Sequence, residues 1–286
     1  MSYIITTDTA SDLPESYLSE NNVPFAPLYY TIDDVMYGDE KKLETKEFFE
    51  AMRQGKMPTT MAANPEKLAE CFRTVLANGN DILHIAFSSG LSGSYQSACI
   101  AKDDLSEEFP DRKIIVIDTL AASLGEGLLV HLALKKQKEG LSLEENAKYI
   151  EETKNHLTHV FTVNDLFHLH RGGRVSKATA IIGTMISVKP VLRVDEEGHL
   201  VPLMNVRGRK KSLNTLCEQF IEKTKDNLPD EFFISHGDCV EDAEYVRDLI
   251  TEKTGVKDCL ISPLTPTIGA HAGPGTVALF FVGNEK

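Results

Sequence analysis

The chain has 286 residues, of which 42% are hydrophobic and 26% charged, and its formal net charge is -13. This balance is typical of a globular protein with a full core, long enough for two modest domains or one large one. The acidic excess argues against broad nucleic-acid binding and against docking on anionic lipid surfaces, since both need a basic face. No apolar run reaches the roughly 18 residues of a membrane span, and the first residues lack signal-peptide features. Five scattered cysteines without a CxxC pair favour a reduced setting, so we expect a soluble cytoplasmic protein.

In the first half of the chain, short apolar runs alternate with helical patterns. The predicted strands are 3–6, 81–87 and 113–118, and the predicted helices are 65–79, 124–140 and 142–157, with a further helix from about Ser94. Alternation at this spacing predicts parallel βαβ units. We therefore expect an N-terminal α/β/α domain over residues 1–158, with a small hairpin excursion at about 25–37.

The pattern changes after about residue 160. The predicted strands here are 159–163, 231–235 and 259–264, the predicted helices are 209–225 and 240–254, and two apolar strands flank a turn at Asp195–Gly198. Gly198 is available for the positive φ that a tight hairpin turn needs. We expect a smaller C-terminal α+β domain over residues 159–286, with some antiparallel pairing.

The segment AFSSGLSGSYQSA (86–98) places serines and glycines between a strand and a helix. It misses the G-x-S-x-G pattern of a hydrolase elbow by one residue, and it lacks the lysine of a phosphate-binding Walker loop. Free N–H groups and hydroxyls at a helix start favour an anion, and a carboxylate qualifies as well as a phosphate. The commoner use of such a serine is to cap its own helix, which leaves Ser92 and Ser94 with two interpretations.

Two other segments offer partners for such an anion. PTTMAANPE (58–66) brings Thr59 or Thr60 near Ser92 if both loops lie at one sheet edge, where ligands of open α/β sheets gather. In TIGAHAGPG (267–275), His271 stands among small residues as a base, a hydrogen-bond donor or a packing residue. No nearby acid stands out to orient His271 as a base, and no set of side chains has metal-ligand spacing, so we expect no metal.

Basic residues concentrate in HRGGRVSK (170–177), which ends in Lys177, and in NVRGRKKSL (205–213). Lys210 and Lys211 are interpreted as a solvated helix face. Arg207, before the helix proper, is the better candidate for contact with a phosphate or a partner protein.

The early segment TDTASDLP (7–14) places Asp8, Ser11 and Asp12 at the end of the first strand. We interpret these side chains as turn and cap residues, with Ser11 or Asp12 starting the helix that follows Pro14.

Six segments in this order resemble the DegV family, the bacterial fatty-acid-binding proteins that serve as acyl-carrying subunits of fatty acid kinase. They are TDTASDLP, PTTMAANPE, SSGLSGSYQSA, LHRGGRVS, VRGRKKSL and IGAHAGPG. The resemblance runs over nearly the whole chain and is specific as a set. It implies a two-domain α/β fold with a lipid tunnel between the domains. It also implies a separate kinase subunit that phosphorylates the bound acyl carboxylate, and an acyltransferase that uses the acyl phosphate for phospholipid synthesis.

Residue by residue, the resemblance makes Thr60, Ser92 and His271 the carboxylate clamp and places Arg207 at the head group or at the kinase contact. The supporting loop positions are Met61, Gly93, Gly269 and Gly273. The resemblance implies a carrier without catalytic residues or cofactors of its own, without nucleic-acid binding, and with only transient membrane contact. Family members often carry serine where this chain has Met61, so one hydroxyl is missing near the head group.

Two other functions remain open at this point. One is a serine esterase or acyl transferase with Ser92 as nucleophile and His271 as base, against which the shifted glycines and the missing third triad member argue. The other is a regulatory module that binds phosphate or a nucleotide through the Ser/Gly loop without a lipid tunnel.

Overall fold

A computed structural model describes residues 2–176 and 188–284, so Lys177 of the first basic segment lies outside the described residues. The strands are β1 Tyr3–Asp8, β2 Phe25–Ala26, β3 Tyr30–Ile32, β4 Val35–Tyr37, β5 Thr59–Thr60, β6 Asp81–Ala86, β7 Ile114–Asp118, β8 Leu157–Thr162, β9 Val188–Val194, β10 Leu200–Arg207, β11 Glu231–His236, β12 Asp258–Pro263 and β13 Val277–Val282. The helices are α1 Glu15–Glu20, α2 Thr45–Arg53, α3 Pro65–Ala77, α4 Ser94–Glu108, α5 Leu124–Lys138, α6 Leu143–Thr153, α7 Phe167–Arg171, α8 Arg209–Lys223, α9 Val240–Thr254 and α10 Pro266–Ala272.

The first sheet is parallel, with strand order β2-β1-β6-β7. All six residues of β6 are buried, as expected for a parallel strand covered on both faces. One face packs against α5 and α6 through a cluster that includes Ile85, Leu128 and Ile150. The other face packs against α3 and α4 through a cluster that includes Phe72 and Ala98. The predicted α/β/α arrangement is confirmed.

The second sheet has six strands in the order β10-β9-β8-β13-β11-β12, and all pairs except β11–β12 are antiparallel. Because side chains alternate along a strand, this sheet presents two different faces. Val160 and Leu279 belong to the core beneath α8 and α9. His159 and Phe161, one residue to either side of Val160, face the first sheet and line a cavity.

A third, three-stranded sheet has the order β4-β3-β5. The tight turn of its hairpin uses Asp33 and Asp34, both with positive φ. Phe25–Ala26 pairs with β1 in the first sheet, so the hairpin itself occupies only β3 and β4. This small sheet positions the site because β5 consists of Thr59 and Thr60.

The strands and helices predicted from the sequence are found close to their predicted bounds, and the turn at Asp195–Gly198 joins β9 to β10 with Gly198 at φ +82°. One interpretation is wrong. Helix α1 begins after Pro14 without a side-chain cap, so neither Ser11 nor Asp12 starts it. Asp8 does cap a short 3-10 turn, where its carboxyl accepts from the Ala10 amide at 2.8 Å. Within the described ranges, no helix is both long and apolar enough to cross a membrane.

The strands of the first sheet end with β7 at Asp118, whereas β8 of the second sheet spans the predicted boundary at residue 158, since it runs from Leu157 to Thr162. The division into two domains at that residue stays a prediction. The sheets are joined closely: the hairpin tip at Gly198 contacts the serine loop, where Ser88 Oγ donates to the Gly198 carbonyl at 3.2 Å. A Cβ on Gly198 would lie 2.3 Å from that hydroxyl, so the contact requires glycine.

Candidate functional site: an apolar cavity with a polar end

An apolar cavity lies between the two larger sheets, and its space amounts to about 950 Å³ including the part open to solvent. Most of its wall is apolar. Phe87 and Leu91 contribute from the loop after β6 of the first sheet, and Phe161, Ala278 and Phe280 contribute from strands of the second. Ligand sites in proteins are mostly apolar, with a few polar groups that orient the ligand. This cavity fits that description.

Three of the predicted site residues meet in the wall of this cavity: Thr60, Ser92 and His271. Thr60 comes from the small sheet, Ser92 from the loop after β6, and His271 from the last turn of α10. Thr60 Oγ1 and His271 Nε2 are 2.8 Å apart and form a hydrogen bond. Thr59, the other candidate threonine, is exposed on the opposite side of β5 and bonds to the Thr31 hydroxyl at 2.7 Å. Of the two candidate threonines, Thr60 is therefore the one that lines the cavity and contacts His271.

Ser92 is connected to the threonine loop through Ser94. The Ser92 and Ser94 hydroxyls are 2.9 Å apart, and the Ser94 amide donates to Ser92 Oγ at 3.2 Å. Ser94 Oγ in turn accepts from the Ala63 amide at 3.0 Å. The helix start itself is at Gly93, without a side-chain cap. Ser92 thus accepts from a local amide and also lines the cavity, but α4 has no side-chain cap, and the contact of Ser92 with an anion stays a prediction.

His271 is held in its neutral form. Burial, together with the nearby charges of Arg174 and Arg171, lowers the pKa of His271 to about 4. Its Nδ1 is buried without a hydrogen-bond partner among the described residues. A Cβ on Gly172 would lie 2.1 Å from that nitrogen, so the glycine backbone packs directly against the ring. The imidazole is therefore a neutral hydrogen-bonding group whose Nε2 points at Thr60.

Two arginines that sequence reasoning left unassigned lie at this end of the cavity. Arg174 lines it, and its guanidinium donates to the Leu91 carbonyl at 3.0 and 3.1 Å and to the carbonyl of Gly172. Arg171 donates to the Ala270 carbonyl at 3.1 Å, while its Nε is buried without a hydrogen-bond partner in the described structure. The two glycines between these arginines were the sequence feature that could have predicted this placement, because a Gly-Gly turn allows both arginine side chains to reach one site.

The predicted supporting positions differ in what they do. Gly269 approaches the ring of Phe49, where a Cβ would lie at 2.8 Å, and Gly273 ends α10 at φ +81° against His168. Gly93 has ordinary room for a side chain. Met61 lines the cavity and is 39% exposed, which places its thioether at the mouth.

Arg207 is not brought together with these residues. It is the exposed last residue of β10, paired with Val188, and it does not line the cavity. Within residues 2–176 and 188–284, no group of three or more His, Cys, Asp or Glu side chains is arranged to hold a metal ion.

Comparison with known proteins agrees with this architecture. The model of the DegV family, described as an uncharacterised protein family, matches residues 2–284. This chain belongs to the DegV family. A DegV domain-containing protein of Clostridium perfringens is 42% identical over 286 residues, covering 99% of this chain and 98% of that protein.

Solved DegV structures share the fold. A DegV family protein from Thermus thermophilus, described by its fatty acid binding, is 30% identical with a TM-score of 0.88 and covers 99% of this chain and 100% of that one. A fatty acid binding DegV family protein from Streptococcus agalactiae is 30% identical with a TM-score of 0.86, and both chains are covered fully, at 100%. The α/β fold of this chain is thus the DegV fold.

Proposed function

We propose that this DegV-family chain binds one long-chain fatty acid in the cavity and presents its carboxylate at Thr60, Ser92 and His271. The carboxylate would be phosphorylated there by a separate kinase subunit. The observation that supports this proposal is an apolar cavity that ends in a hydroxyl–imidazole pair, Thr60 and His271, 2.8 Å apart. Fatty-acid binding by the Thermus thermophilus and Streptococcus agalactiae relatives supports the same ligand class.

The apolar wall would supply most of the affinity. Burying about 14 methylenes at about 0.8 kcal/mol each gains on the order of 10 kcal/mol before association and ordering costs. The side chains of Phe161, Ala278 and Phe280 come from neighbouring strands of the second sheet and form a continuous apolar surface for a chain to lie on.

The polar end would supply orientation. A neutral His271 with its proton on Nε2 donates to Thr60 Oγ1, which leaves the Thr60 hydroxyl proton for a ligand oxygen. Ser94 can donate its own proton to Ser92, since Ser94 Oγ already accepts from the Ala63 amide, and the Ser92 proton then points to the ligand. A carboxylate taken out of water needs such donors, because each unmet hydrogen bond costs about 1–3 kcal/mol. The positive potential of Arg171 and Arg174, which lowers the pKa of His271, also favours an anion here.

Met61 changes the mouth of this site. Where a serine would add a third hydroxyl, the thioether adds a partly exposed apolar group beside Thr60. We expect the carboxylate to be held by two hydroxyls, so each contributes a larger share of the discrimination for an acid head group.

We further propose that Arg207 contacts the kinase subunit. Its exposure on the edge strand β10, away from the cavity wall, suits contact with a partner better than contact with the bound acid. The product would be an acyl phosphate for an acyltransferase of phospholipid synthesis.

The esterase alternative lacks support from the contacts at the site. A nucleophilic serine needs the imidazole as its hydrogen-bond partner and a carboxylate on the second ring nitrogen. His271 Nε2 bonds to Thr60, and its Nδ1 faces Gly172. In the described residues, neither half of the catalytic arrangement is present.

The proposal is tested by native mass spectrometry of delipidated protein mixed with palmitic acid, oleic acid or octanoic acid. We expect a single bound molecule of each long-chain acid and far weaker binding of octanoic acid. No uptake of either long-chain acid would contradict the proposal. A serine-reactive probe that labels Ser92, with turnover of a simple ester, would support the esterase instead.

A further inference from the structure

Asp12 stands out among the residues that the proposed function does not use. Asp12 is 1% exposed, and its backbone has a positive φ of +53° at the end of the short 3-10 turn that follows β1. In the described part of the chain, neutral groups donate to its carboxyl: Ser123 Oγ at 2.5 Å and the Thr265 amide at 2.8 Å, together with the Thr265 side chain. Burial raises the pKa of Asp12 to about 7, so holding a carboxyl here has an energetic cost. Because burying the Asp12 carboxyl destabilises its charged form, we expect its contacts to serve a role.

The contact between Asp12 and Thr265 connects Asp12 to His271. Thr265 is the residue immediately before α10, and its side chain does not cap the helix. The Thr265 carbonyl accepts the first helical hydrogen bond, from the Gly269 amide at 2.7 Å. Asp12 therefore fixes the backbone at the start of a helix of 7 residues that carries His271 in its last turn. Because the Thr265 carbonyl bonds to the Gly269 amide and the Gly269 carbonyl bonds to the Gly273 amide, a shift at Thr265 displaces the short helix that carries the imidazole.

The contact between Asp12 and Ser123 connects Asp12 to the cavity wall. Ser123 lines the cavity and begins α5 with φ +59° and ψ -148°, a conformation that is essentially reserved for glycine. A serine persists there only when its surroundings hold it. Its hydroxyl donates to Asp12 and lies 2.8 Å from the Ser235 hydroxyl of the second sheet. This strained residue is a second, independent sign that the region around Asp12 is fixed by specific contacts.

We propose that Asp12 is a positioning residue for the head-group site: its carboxyl fixes the start of α10 so that His271 Nε2 meets Thr60, and it fixes Ser123 in the adjoining wall. The contact crosses from the first sheet to a helix of the second half of the chain. The role assigned to the head-group site rests on the proposed function, whereas the positioning of His271 by Asp12 does not.

The first test observes His271 directly in ligand-free protein. Two-bond proton–nitrogen spectra of protein labelled with ¹⁵N-histidine give the titration of each ring, and a His271→Gln variant assigns the signal. In the wild type, the pKa of His271 is about 4 and that of the buried His84 about 3. In Asp12→Ala we expect the pKa of His271 to rise toward its usual value while His84 stays unchanged.

His84 distinguishes positioning from general loosening. It lies in the middle of β6 and is fully buried, so a destabilised fold would move its titration as well. Asp8→Asn is the matched control, since Asp8 is an equally buried carboxyl at the end of the same strand that contacts the Ala10 amide instead of α10. We expect Asp8→Asn to leave the His271 titration as it is in the wild type.

If Asp12→Ala does not fold, Thr265→Pro removes the donor side of the same contact. Thr265 has φ -63°, which proline adopts without strain, but proline lacks the N–H that bonds to Asp12. This variant is expected to raise the pKa of His271 as Asp12→Ala does. An unchanged His271 titration in a folded Asp12→Ala or Thr265→Pro protein would overturn the proposal.

The second test compares palmitic acid with 1-hexadecanol, which has the same tail and no carboxylate. We expect Asp12→Ala to lower the affinity for the acid about tenfold, the equivalent of one lost hydrogen bond, with little change for the alcohol. Equal losses for both ligands would mean a merely structural role and would contradict the positioning role. If the wild type binds neither ligand, the proposed function fails, and the His271 titration still decides the role of Asp12.

Discussion

The two ends of the cavity are built in different ways. The apolar wall comes from regular strands of the second sheet, where alternation along β8 and β13 turns His159, Phe161, Ala278 and Phe280 to the same side. The polar end comes from three segments far apart in the chain, and its central contact joins Thr60 to His271 across 211 positions. The wall depends on a periodic pattern, whereas the polar end depends on how separate elements are placed. We therefore expect the wall to control how tightly a ligand binds and the polar end to control which head group is accepted.

The largest effect is expected from filling the wall. Ala278 is a small residue on the central strand β13, and it pairs with Phe161 of the neighbouring strand β8. In Ala278→Phe the added ring would exclude several methylenes, and losing four of them at about 0.8 kcal/mol each lowers the affinity for palmitic acid about 200-fold. Isothermal titration calorimetry measures this, with Ala278→Ser as the control of similar volume. Wild-type affinity in a folded Ala278→Phe protein would show that the tail lies elsewhere.

The next effect concerns the polar end alone. Thr60→Val keeps the shape of the side chain and removes the hydroxyl that bonds to His271. We expect about a tenfold loss of affinity for palmitic acid and little change for 1-hexadecanol. Thr59→Val is the matched control, because Thr59 is its neighbour on β5 but faces solvent. If Thr60→Val and Thr59→Val change the affinity for palmitic acid equally, the polar end does not select the acid head group through Thr60.

A pH-dependent effect follows from the neutral state of His271. Its pKa is about 4 in the folded chain and, with reference value 6.5, higher in the unfolded chain, so the unfolded chain binds the extra proton. Stability contributed by this residue is therefore present above pH 6.5 and falls as the pH drops toward 4. Between pH 8 and pH 6, wild type should lose about 1 kcal/mol of unfolding free energy relative to His271→Gln, measured by urea unfolding. An unchanged difference between the two proteins would mean that His271 is solvated and free to charge.

The smallest effect is expected from the charge beside the imidazole. Arg174→Gln removes one of the two positive charges that lower the pKa of His271, so that pKa should rise. The affinity for palmitic acid should fall about twofold to threefold, because a partly exposed charge contributes modestly. Histidine NMR and calorimetry on the same samples measure both changes. A lowered pKa of His271 in this variant would contradict the arrangement.

The apolar wall and the polar end of the cavity also differ in how far the sequence predicts them. Apolar runs such as HVFTV (159–163) predict strand β8 of the wall, because β8 is buried along its length and its pattern is largely hydrophobic. The pairing of Thr60 with His271 has no local signal, since two loops so distant in sequence meet only through the fold. The resemblance of the segments to the DegV family was needed to choose Thr60 over Thr59.

Asp12 shows why local rules fail at the site. An aspartate two residues before a proline at a helix start has the pattern of a cap. The chain instead turns at Asp12 with positive φ and sends the carboxyl inward to Ser123 and Thr265. Both partners are supplied by other elements, so no window of sequence around Asp12 contains the signal.

The central claim is that one fatty acid lies in the cavity with its carboxylate at Thr60, Ser92 and His271. The most direct measurement is the carbon NMR spectrum of palmitic acid labelled with ¹³C at the carboxyl carbon, bound to delipidated protein. We predict one bound signal at one equivalent, distinct from free acid, that shifts in Thr60→Val and stays in place in Thr59→Val. A spectrum with only free acid, or a bound signal that ignores Thr60→Val, would contradict the account.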